Sequence, residues 1–381
     1  AGKRGLASSM APSLIVLCGK CGAIEEATHV FLSSPDQDVV MWTSLLSAYV
    51  DSKQKEKALQ LFRHMQVRGV IPNRHSFVCA LKGCGSFDEG EETERGLTSL
   101  LSLEICRALH ADITKRSEFL SDTILNTTLL TVYAECGSIK EASTIFSALP
   151  YRDTVSWNVM LSTYVSQGEG EKALRLYRDM QTEKAVIQDQ RTMELAIRAC
   201  GMLQLSDKDI LLEIANALHM DAIKEGYTSE TSFSSMLISM YWKCGILQKA
   251  KDVLLALSEP TPSAWNALLF AYNEDHQYET VLKLYDEMLN KGIAVNEYSF
   301  IGILQSCSEI GSLNSCKCVH FDIVSTECDK IPRVASSLIQ AYGKCASTID
   351  SQEIFEGFDE PDIVVWTACI QGYSGEGNAL C

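Results

Sequence analysis

The chain has 381 residues, enough for two or three globular domains or for one long repeat array. Hydrophobic residues make up 46% and charged residues 22%, which excludes a disordered chain, and 23 Gly with 8 Pro exclude collagen-like and proline-rich classes. Lys+Arg 33 against Asp+Glu 49 leaves a net charge of -16, which argues against binding DNA by bulk charge.

Amphipathic first helices are expected at 8–21, 39–51, 74–85, 123–136, 154–166, 190–201, 231–244, 262–275, 297–310, 332–345 and 363–373. In chain order, the first runs into CGKCGAIEEA at 18–27. The second opens a block that reads WTSLLSAYV…KALQLFRHM from Trp42 to Met65. The third carries Phe77 and, seven residues on, Cys84. YAECGSIKEA follows at 133–142, then WNVMLSTYV…KALRLYRDM from Trp157 to Met180, then Met193 with Cys200. The cycle returns with YWKCGILQKA at 241–250, WNALLFAYN…TVLKLYDEM from Trp265 to Met288, and Phe300 with Cys307. It closes with YGKCASTIDS at 342–351 and Trp366. Trp42, Trp157, Trp265 and Trp366, four of the five tryptophans, each precede a tyrosine (Tyr49, Tyr164, Tyr272, Tyr373) by seven residues, two helical turns, so the pair shares a helix face. These four tryptophans are 115, 108 and 101 residues apart, each about three helical hairpins of the solenoid kind. Three hairpin types therefore alternate in fixed order.

With these motifs the chain resembles a pentatricopeptide repeat protein of the subtype that alternates P-, L- and S-type motifs. DVVMWT at 38–43, DTVSWN at 153–158 and DIVVWT at 362–367 are similar to that subtype's P-motif start, and YAECGSIKEA to its S-motif. A tetratricopeptide array would keep one length near 34, whereas three lengths cycle here. The resemblance implies an all-α fold, a right-handed α-solenoid superhelix of about ten helical hairpin repeats. Its expected units are 8–38 (S), 39–73 (P), 74–122 (L, with an acidic insertion near 86–103), 123–153 (S), 154–189 (P), 190–230 (L), 231–261 (S), 262–296 (P), 297–331 (L), 332–362 (S) and 363–381 (partial P). The acidic tract DEGEETER at 88–95 reads as a surface insertion, and SDKDILLE at 206–213 lengthens the second L-type unit. The chain starts and stops inside a repeat, as a fragment does or an array with degenerate caps.

In this family the first helices line a concave groove that binds single-stranded RNA at about one base per repeat. Charge permits this: the eleven first helices hold eight positive and seven negative side chains, so the acidity sits on second helices, loops and the insertion. Lys20, Lys243 and Lys344, each just before or near a Cys at a helix end, suit either phosphates or the helix dipole. The resemblance implies that bases are read at the fifth and last positions of a repeat. These are Thr43 with Asn73, Thr127 with Asp153, Asn158 with Asp189, Asn266 with Asn296, and Ser336 with Asp362. By the family's pattern they read A, G, U, C-or-U and G, hence A-n-G-U-n-n-Y-n-G from 5′ to 3′. Position two, where the family places an apolar wedge between bases, holds Val40, Ile124, Val155 and Val364, but Ser263 and Arg333 elsewhere. Val78, Glu194 and Ile301 at fifth positions, and Ser235 with Thr261, depart from the code. Asn, Asp, Ser and Thr are also the commonest helix N-caps, so the same residues carry a purely structural reading.

No catalytic residues, cofactor or metal site is expected. A deaminase domain needs H-x-E…C-x-x-C, and no histidine here is followed by x-Glu. Cys18-Gly-Lys-Cys21 falls in the S-motif pattern, and Cys316-Lys-Cys318 lacks a second ligand pair beyond His320. His110, His219 and His320 each sit in an H-x-D step, on different repeats, too far apart along a solenoid to share an ion. No phosphate-binding Gly-rich loop is present. The 15 cysteines read as mostly reduced and buried, and the longest apolar runs fall far short of a membrane span. Ala1 is not Met, so any transit peptide is removed or not shown. The functional expectation is a non-enzymatic, organellar (mitochondrial or plastid) RNA-binding protein in transcript processing, stability or translation. Its partner is single-stranded mRNA or rRNA, with basic proteins on the acidic outer surface and neither DNA nor membrane insertion. The competing readings are a structural clamp in an organellar ribosome and a protein-only scaffold.

Overall fold

The computed structural model describes the chain except residues 1, 35, 86–91, 184–185, 204–207, 228–230, 258–259, 358–362 and 376–381; for 2–9, 92–99, 208, 231–232 and 371–375 it describes the backbone alone. Among the described residues the chain forms α-helices and no strand. They are α1 (Gly2–Lys20), α2 (Ile24–Ser33), α3 (Val39–Asp51), α4 (Lys55–Val67), α5 (Arg74–Cys84), α6 (Glu92–Thr114), α7 (Thr123–Glu135), α8 (Ile139–Ala148), α9 (Thr154–Ser166), α10 (Gly170–Thr182) and α11 (Gln190–Cys200). Then come α12 (Lys208–Lys224), α13 (Thr231–Lys243), α14 (Leu247–Ala256), α15 (Pro262–Glu274), α16 (Tyr278–Asn290), α17 (Glu297–Ile310), α18 (Leu313–Ser325), α19 (Pro332–Lys344), α20 (Thr348–Glu356) and α21 (Ile363–Gly375). Odd-numbered helices open the hairpins and even-numbered helices close them. This is an all-α solenoid of helical hairpins.

Contacts group the chain into two units, Ala1–Leu195 and Ala196–Cys381, divided inside α11. In the first, α1, α3, α5, α7 and α9 pack side by side in that order. In the second, α13, α15, α17, α19 and α21 do the same. Second helices pack against their own first helix and the next one, as α4 does on α3 and α5, and α16 on α15 and α17. One hairpin cannot bury its apolar face alone, and this stacking completes the core. Ala27, Ala58, Ala142, Ala173 and Ala250 are fully buried on second helices, where a larger side chain would hold the layers apart. Trp42, Trp157 and Trp265 fill the space beneath, Trp42 edge-on to Phe31 and Trp157 edge-on to Phe146, each at 4.9 Å. Trp366 differs: it meets Phe355 at 4.6 Å yet stays 51% exposed.

Short polar side chains start the helices. Asp38 accepts from the Met41 N–H at 2.9 Å, Asp122 from Leu125 at 3.1 Å and Asp153 from Ser156 at 2.8 Å, each satisfying a donor that the first turn leaves unpaired. The turns between paired helices need a left-handed residue. Gly22, Gly137 and Gly245 supply it in three of the CG blocks, with φ of 76°, 71° and 74°. In the fourth block the same place falls to Ala346, at φ 56°, where a Cβ is strained.

The cycling repeat length resides in the second helices. Those of the CG blocks are short: α2, α8 and α14 have 10 residues and α20 has 9. Those of the tryptophan blocks, α4, α10 and α16, have 13. α6, α12 and α18 have 23, 17 and 13. The segment expected as a surface insertion near 86–103 divides: 86–91 lie outside the described residues, and 92–103 continue as the first turns of α6. Likewise 206–207 lie outside the described residues and 208–213 begin α12.

Candidate nucleic-acid interface

The five polar pairs expected from the sequence behave in three ways. In the tryptophan hairpins the two members meet. Asn158 Nδ2 donates to Asp189 Oδ1 at 2.9 Å, and Asn266 Nδ2 donates to Asn296 Oδ1 at 3.0 Å. A third side chain closes each contact into a ring. Thr192 Oγ1 donates to Asn158 Oδ1 at 2.7 Å, and Ser299 Oγ donates to Asn266 Oδ1 at 2.6 Å. In the first tryptophan hairpin Thr43 donates to the Val39 carbonyl at 2.7 Å and shares a hydroxyl contact of 2.8 Å with Ser76, which donates to Asn73 Oδ1 at 3.0 Å.

The last-position residues are helix caps as well as ring members. Asn73, Asp189 and Asn296 accept from the backbone N–H of Ser76, Thr192 and Ser299 at 2.9, 2.8 and 3.1 Å. The sequence offers a capping reading and a base-reading reading for the same side chains, and the geometry joins the two. A cap uses one side-chain oxygen and leaves the rest of the group exposed at the end of the helix. Burial of Asp189 opposes its ionisation, but the hydrogen bonds from Asn158 and Thr192 outweigh it and hold the carboxyl below its usual range. At neutral pH it is therefore an acceptor only, and its second oxygen has no protein donor among the described residues.

Thr127 and Asp153 form a different arrangement. Ser156, the residue that would close a ring, instead donates to the carbonyl and Oδ1 of its own cap, Asp153, both at 2.8 Å. Thr127 and Asp153 both line an open cleft of about 450 Å³, together with Ile124, Val155, Lys55 and Lys82. A polar pair, two apolar side chains and two ammonium groups thus converge on one cavity of the first unit. The last pair is not assembled in this way. Ser336 is buried, packed on α19 between α17 and α21, with its hydroxyl on the Arg333 carbonyl at 2.9 Å; this corrects its expected display at an open surface. Asp362 lies outside the described residues.

All four wedge positions are open. Val40, Ile124, Val155 and Val364 are 50, 51, 57 and 53% exposed, whereas the residues beside them toward the core, such as Met41, Leu125 and Val365, are buried. Exposed β-branched side chains at the same place on four first helices, α3, α7, α9 and α21, are unexplained by the core and suited to flat apolar ligand faces. Among the lysines at helix ends, Lys344 is held by Glu309 at 2.5 Å, while Lys20 and Lys243 sit exposed in the last turns of α1 and α13. Sequence reasoning missed Ser76, Thr192 and Ser299. Their signal was present: each lies three residues after an Asn or Asp that begins a helix, the spacing of a capping box.

The remaining candidates are structural in placement. His110, His219 and His320 each contact a tyrosine hydroxyl of the next first helix through Nδ1 (Tyr133, Tyr241, Tyr342) at 3.0–3.1 Å. Burial lowers the pKa of all three. Every cysteine among the described residues is a free thiol, and no group of three or more His, Cys, Asp or Glu side chains among them is arranged to hold a metal ion. No helix of the described residues is long and apolar enough to cross a membrane.

The PPR repeat family matches the chain in three segments, 37–86, 152–201 and 260–309. Each segment contains one complete set of the polar side chains described above. Among curated relatives, the Arabidopsis thaliana pentatricopeptide repeat-containing protein At5g27110 is 26% identical over 369 residues, covering 97% of this chain and 50% of the relative. The pentatricopeptide repeat-containing protein At1g11290, chloroplastic, from the same organism is 27% identical over 96% of this chain and 43% of its own length. The putative pentatricopeptide repeat-containing protein At3g25060, mitochondrial, also from Arabidopsis, is 27% identical over 97% and 58%. The chain spans about half the length of the curated relatives it matches. The crystal structure of the pentatricopeptide repeat protein PPR10 in complex with an 18-nt psaJ RNA element has the same fold, with a TM-score of 0.62 at 16% identity over 97% of this chain and 53% of that one. With the repeat family matched three times at its polar rings, and relatives aligned along nearly the whole sequence, the chain is similar to pentatricopeptide repeat proteins and carries three segments of the PPR repeat family.

Proposed function

We propose that this chain binds single-stranded RNA along its first helices at about one base per hairpin, and acts in the processing, stability or translation of an organellar transcript. The observation that carries the reading is the repeated set of polar side chains, Asn158–Asp189 and Asn266–Asn296 above all, beside exposed apolar residues on the same helices. Asn158 keeps one amide N–H for a base carbonyl, and the ionised Asp189 accepts from a ring N–H; uracil offers both at its Watson–Crick edge. Asn296 offers an amide instead of a carboxylate, which suits the ring nitrogen acceptor of cytosine and also tolerates uracil. Asp153 accepts from two N–H groups of guanine, and Thr43 with Asn73 serve adenine. Val40, Ile124, Val155 and Val364 separate neighbouring bases. The PPR10 structure, solved with RNA on the same fold, supports this assignment, as do relatives named chloroplastic and mitochondrial. Alternation of P-, L- and S-type motifs, with the units set out above, belongs to the same proposal.

The acidity outside the first helices favours basic proteins as further partners, which is the arrangement of a clamp on ribosomal RNA in an organellar ribosome. Selection from a randomised single-stranded RNA pool tests the main reading. Enrichment of sites containing A-n-G-U-n-n-Y, against no enrichment from a single-stranded DNA pool, is the expected result. No retention of RNA by the purified chain overturns it. Crosslinking in the native organelle then distinguishes one transcript site from ribosomal RNA.

A further inference from the structure

The two asparagine rings hold their amides in one orientation. Thr192 and Ser299 are fully buried. Their oxygens accept from the cap backbone N–H of Asp189 at 3.4 Å and Asn296 at 3.2 Å, so their own protons must go to another acceptor. Two acceptors lie in reach of each, Asn158 Oδ1 at 2.7 Å and the cap's own Asp189 Oδ1 at 2.8 Å for Thr192, and Asn266 Oδ1 at 2.6 Å and Asn296 Oδ1 at 3.2 Å for Ser299, the asparagine of the first helix being the nearer in both. That makes the carbonyl end of each amide face inward and its NH₂ end face the last-position residue. Flipping Asn158 would set its oxygen against Asp189 Oδ1, an acceptor already pinned by the Thr192 N–H at 2.8 Å. Flipping Asn266 would do the same against Asn296 Oδ1, pinned by the Ser299 N–H at 3.1 Å. Two acceptors then face each other at hydrogen-bond distance with no proton between them. One N–H of each amide is spent on the last-position residue, and one remains.

We propose that Thr192 and Ser299 are positioning residues for base selection, fixing Asn158 and Asn266 as hydrogen-bond donors to the base and so admitting bases with a carbonyl at that place. The proposal rests on the RNA-binding reading above and deepens it. Other hairpins supply the contrast. Where the third residue after the cap is Ala264, no hydroxyl is available, and Ser235 instead contacts Ser263 at 3.1 Å. Where it is Ser156, the hydroxyl reaches its own cap, as those of Thr192 and Ser299 also do, but among the described residues it reaches no fifth-position side chain.

The test is selection from a randomised single-stranded RNA pool with the full chain and with Thr192→Val, Thr192→Ser and Ser299→Ala, each variant's melting temperature being measured alongside. The expected result is local. In Thr192→Val the preference at one nucleotide falls about tenfold, the size of one lost net hydrogen bond, while the rest of the motif persists. Thr192→Ser restores it. Ser299→Ala flattens a different nucleotide, three away, because three hairpins separate Asn158 from Asn266. A base preference at both nucleotides unchanged in Thr192→Val and Ser299→Ala overturns the proposal and leaves the hydroxyls as helix caps. A uniform loss of affinity in proportion to lost melting temperature, with no change of preference, overturns it as well. If the unaltered chain enriches no RNA, the failure is that of the RNA-binding reading. Should Thr192→Val not fold, Ser299→Ala with Ser299→Thr as its rescue decides on the same criteria.

Discussion

The hairpin 154–189 and the hairpin before it, 123–153, place the same kinds of residue in the same register and build different sites. In the later one Asn158, Asp189 and Thr192 close into a ring across 31 to 34 residues of chain. In the earlier one Thr127, Asp153 and Ser156 do not; they line a cleft with Ile124 and Val155. The second helices differ by three residues, 10 in α8 against 13 in α10, or about 4.5 Å of rise. The cap that follows therefore arrives at a different height beside the first helix. The side chains differ too, since an asparagine reaches farther than a threonine. A shared register is thus insufficient for a shared site; the length of the intervening helix enters as well.

The largest effect that sharpens this comparison is on the core beneath the rings. Trp157→Ala should destabilise the chain by about 3–5 kcal/mol, read by denaturant unfolding, because the indole is buried against Phe146. Trp366→Ala should cost well under half of that, since Trp366 is half exposed. Equal losses would show that the two tryptophan hairpins are not packed as described. Next comes binding. Asn158→Ala should weaken binding of a cognate RNA oligonucleotide about tenfold in a filter assay, more than Thr127→Ala does, because the first breaks a closed ring. A larger loss for Thr127→Ala would reverse the ranking of the two sites.

The turns give a third measurement. Gly137→Ala should destabilise by about 1 kcal/mol and Ala346→Gly should stabilise by a similar amount, in thermal melts, because both positions have positive φ. The smallest effect is of pH. His110, His219 and His320 have pKa values lowered by burial, so the folded chain binds fewer protons than the unfolded chain in the window below the ordinary imidazole value of about 6.5. Stability from these groups is present above that window and is lost as pH falls through it. Melting temperature should decline from pH 7 toward pH 5, and the triple variant carrying Gln at 110, 219 and 320 should decline less.

Much of the fold was legible. Asp38, Asn73, Asp153 and Asn296 stand where helices begin, and Trp–Tyr spacing of two turns set out the first helices; α3, α9 and α17 span the expected 39–51, 154–166 and 297–310. Part of the geometry of the candidate site was legible as well. Val40, Ile124, Val155 and Val364 are exposed where an apolar wedge was expected. Thr192 and Ser299 were passed over because a hydroxyl three residues into a helix reads first as part of a cap. The helical course of 92–103 was hidden by its acidity, which suggested a loop although Glu and Leu are good helix formers.

The sequence by itself determined the repeat, the helix starts and the turn residues, because these depend on periodicity, capping and φ within a few residues of chain. Only the tertiary structure decided which polar pairs touch, which way the Asn158 and Asn266 amides face, and that Ser336 turns inward. Those outcomes depend on hydrogen bonds and packing between groups about thirty residues apart, whose separation in space is set by the helix that lies between them.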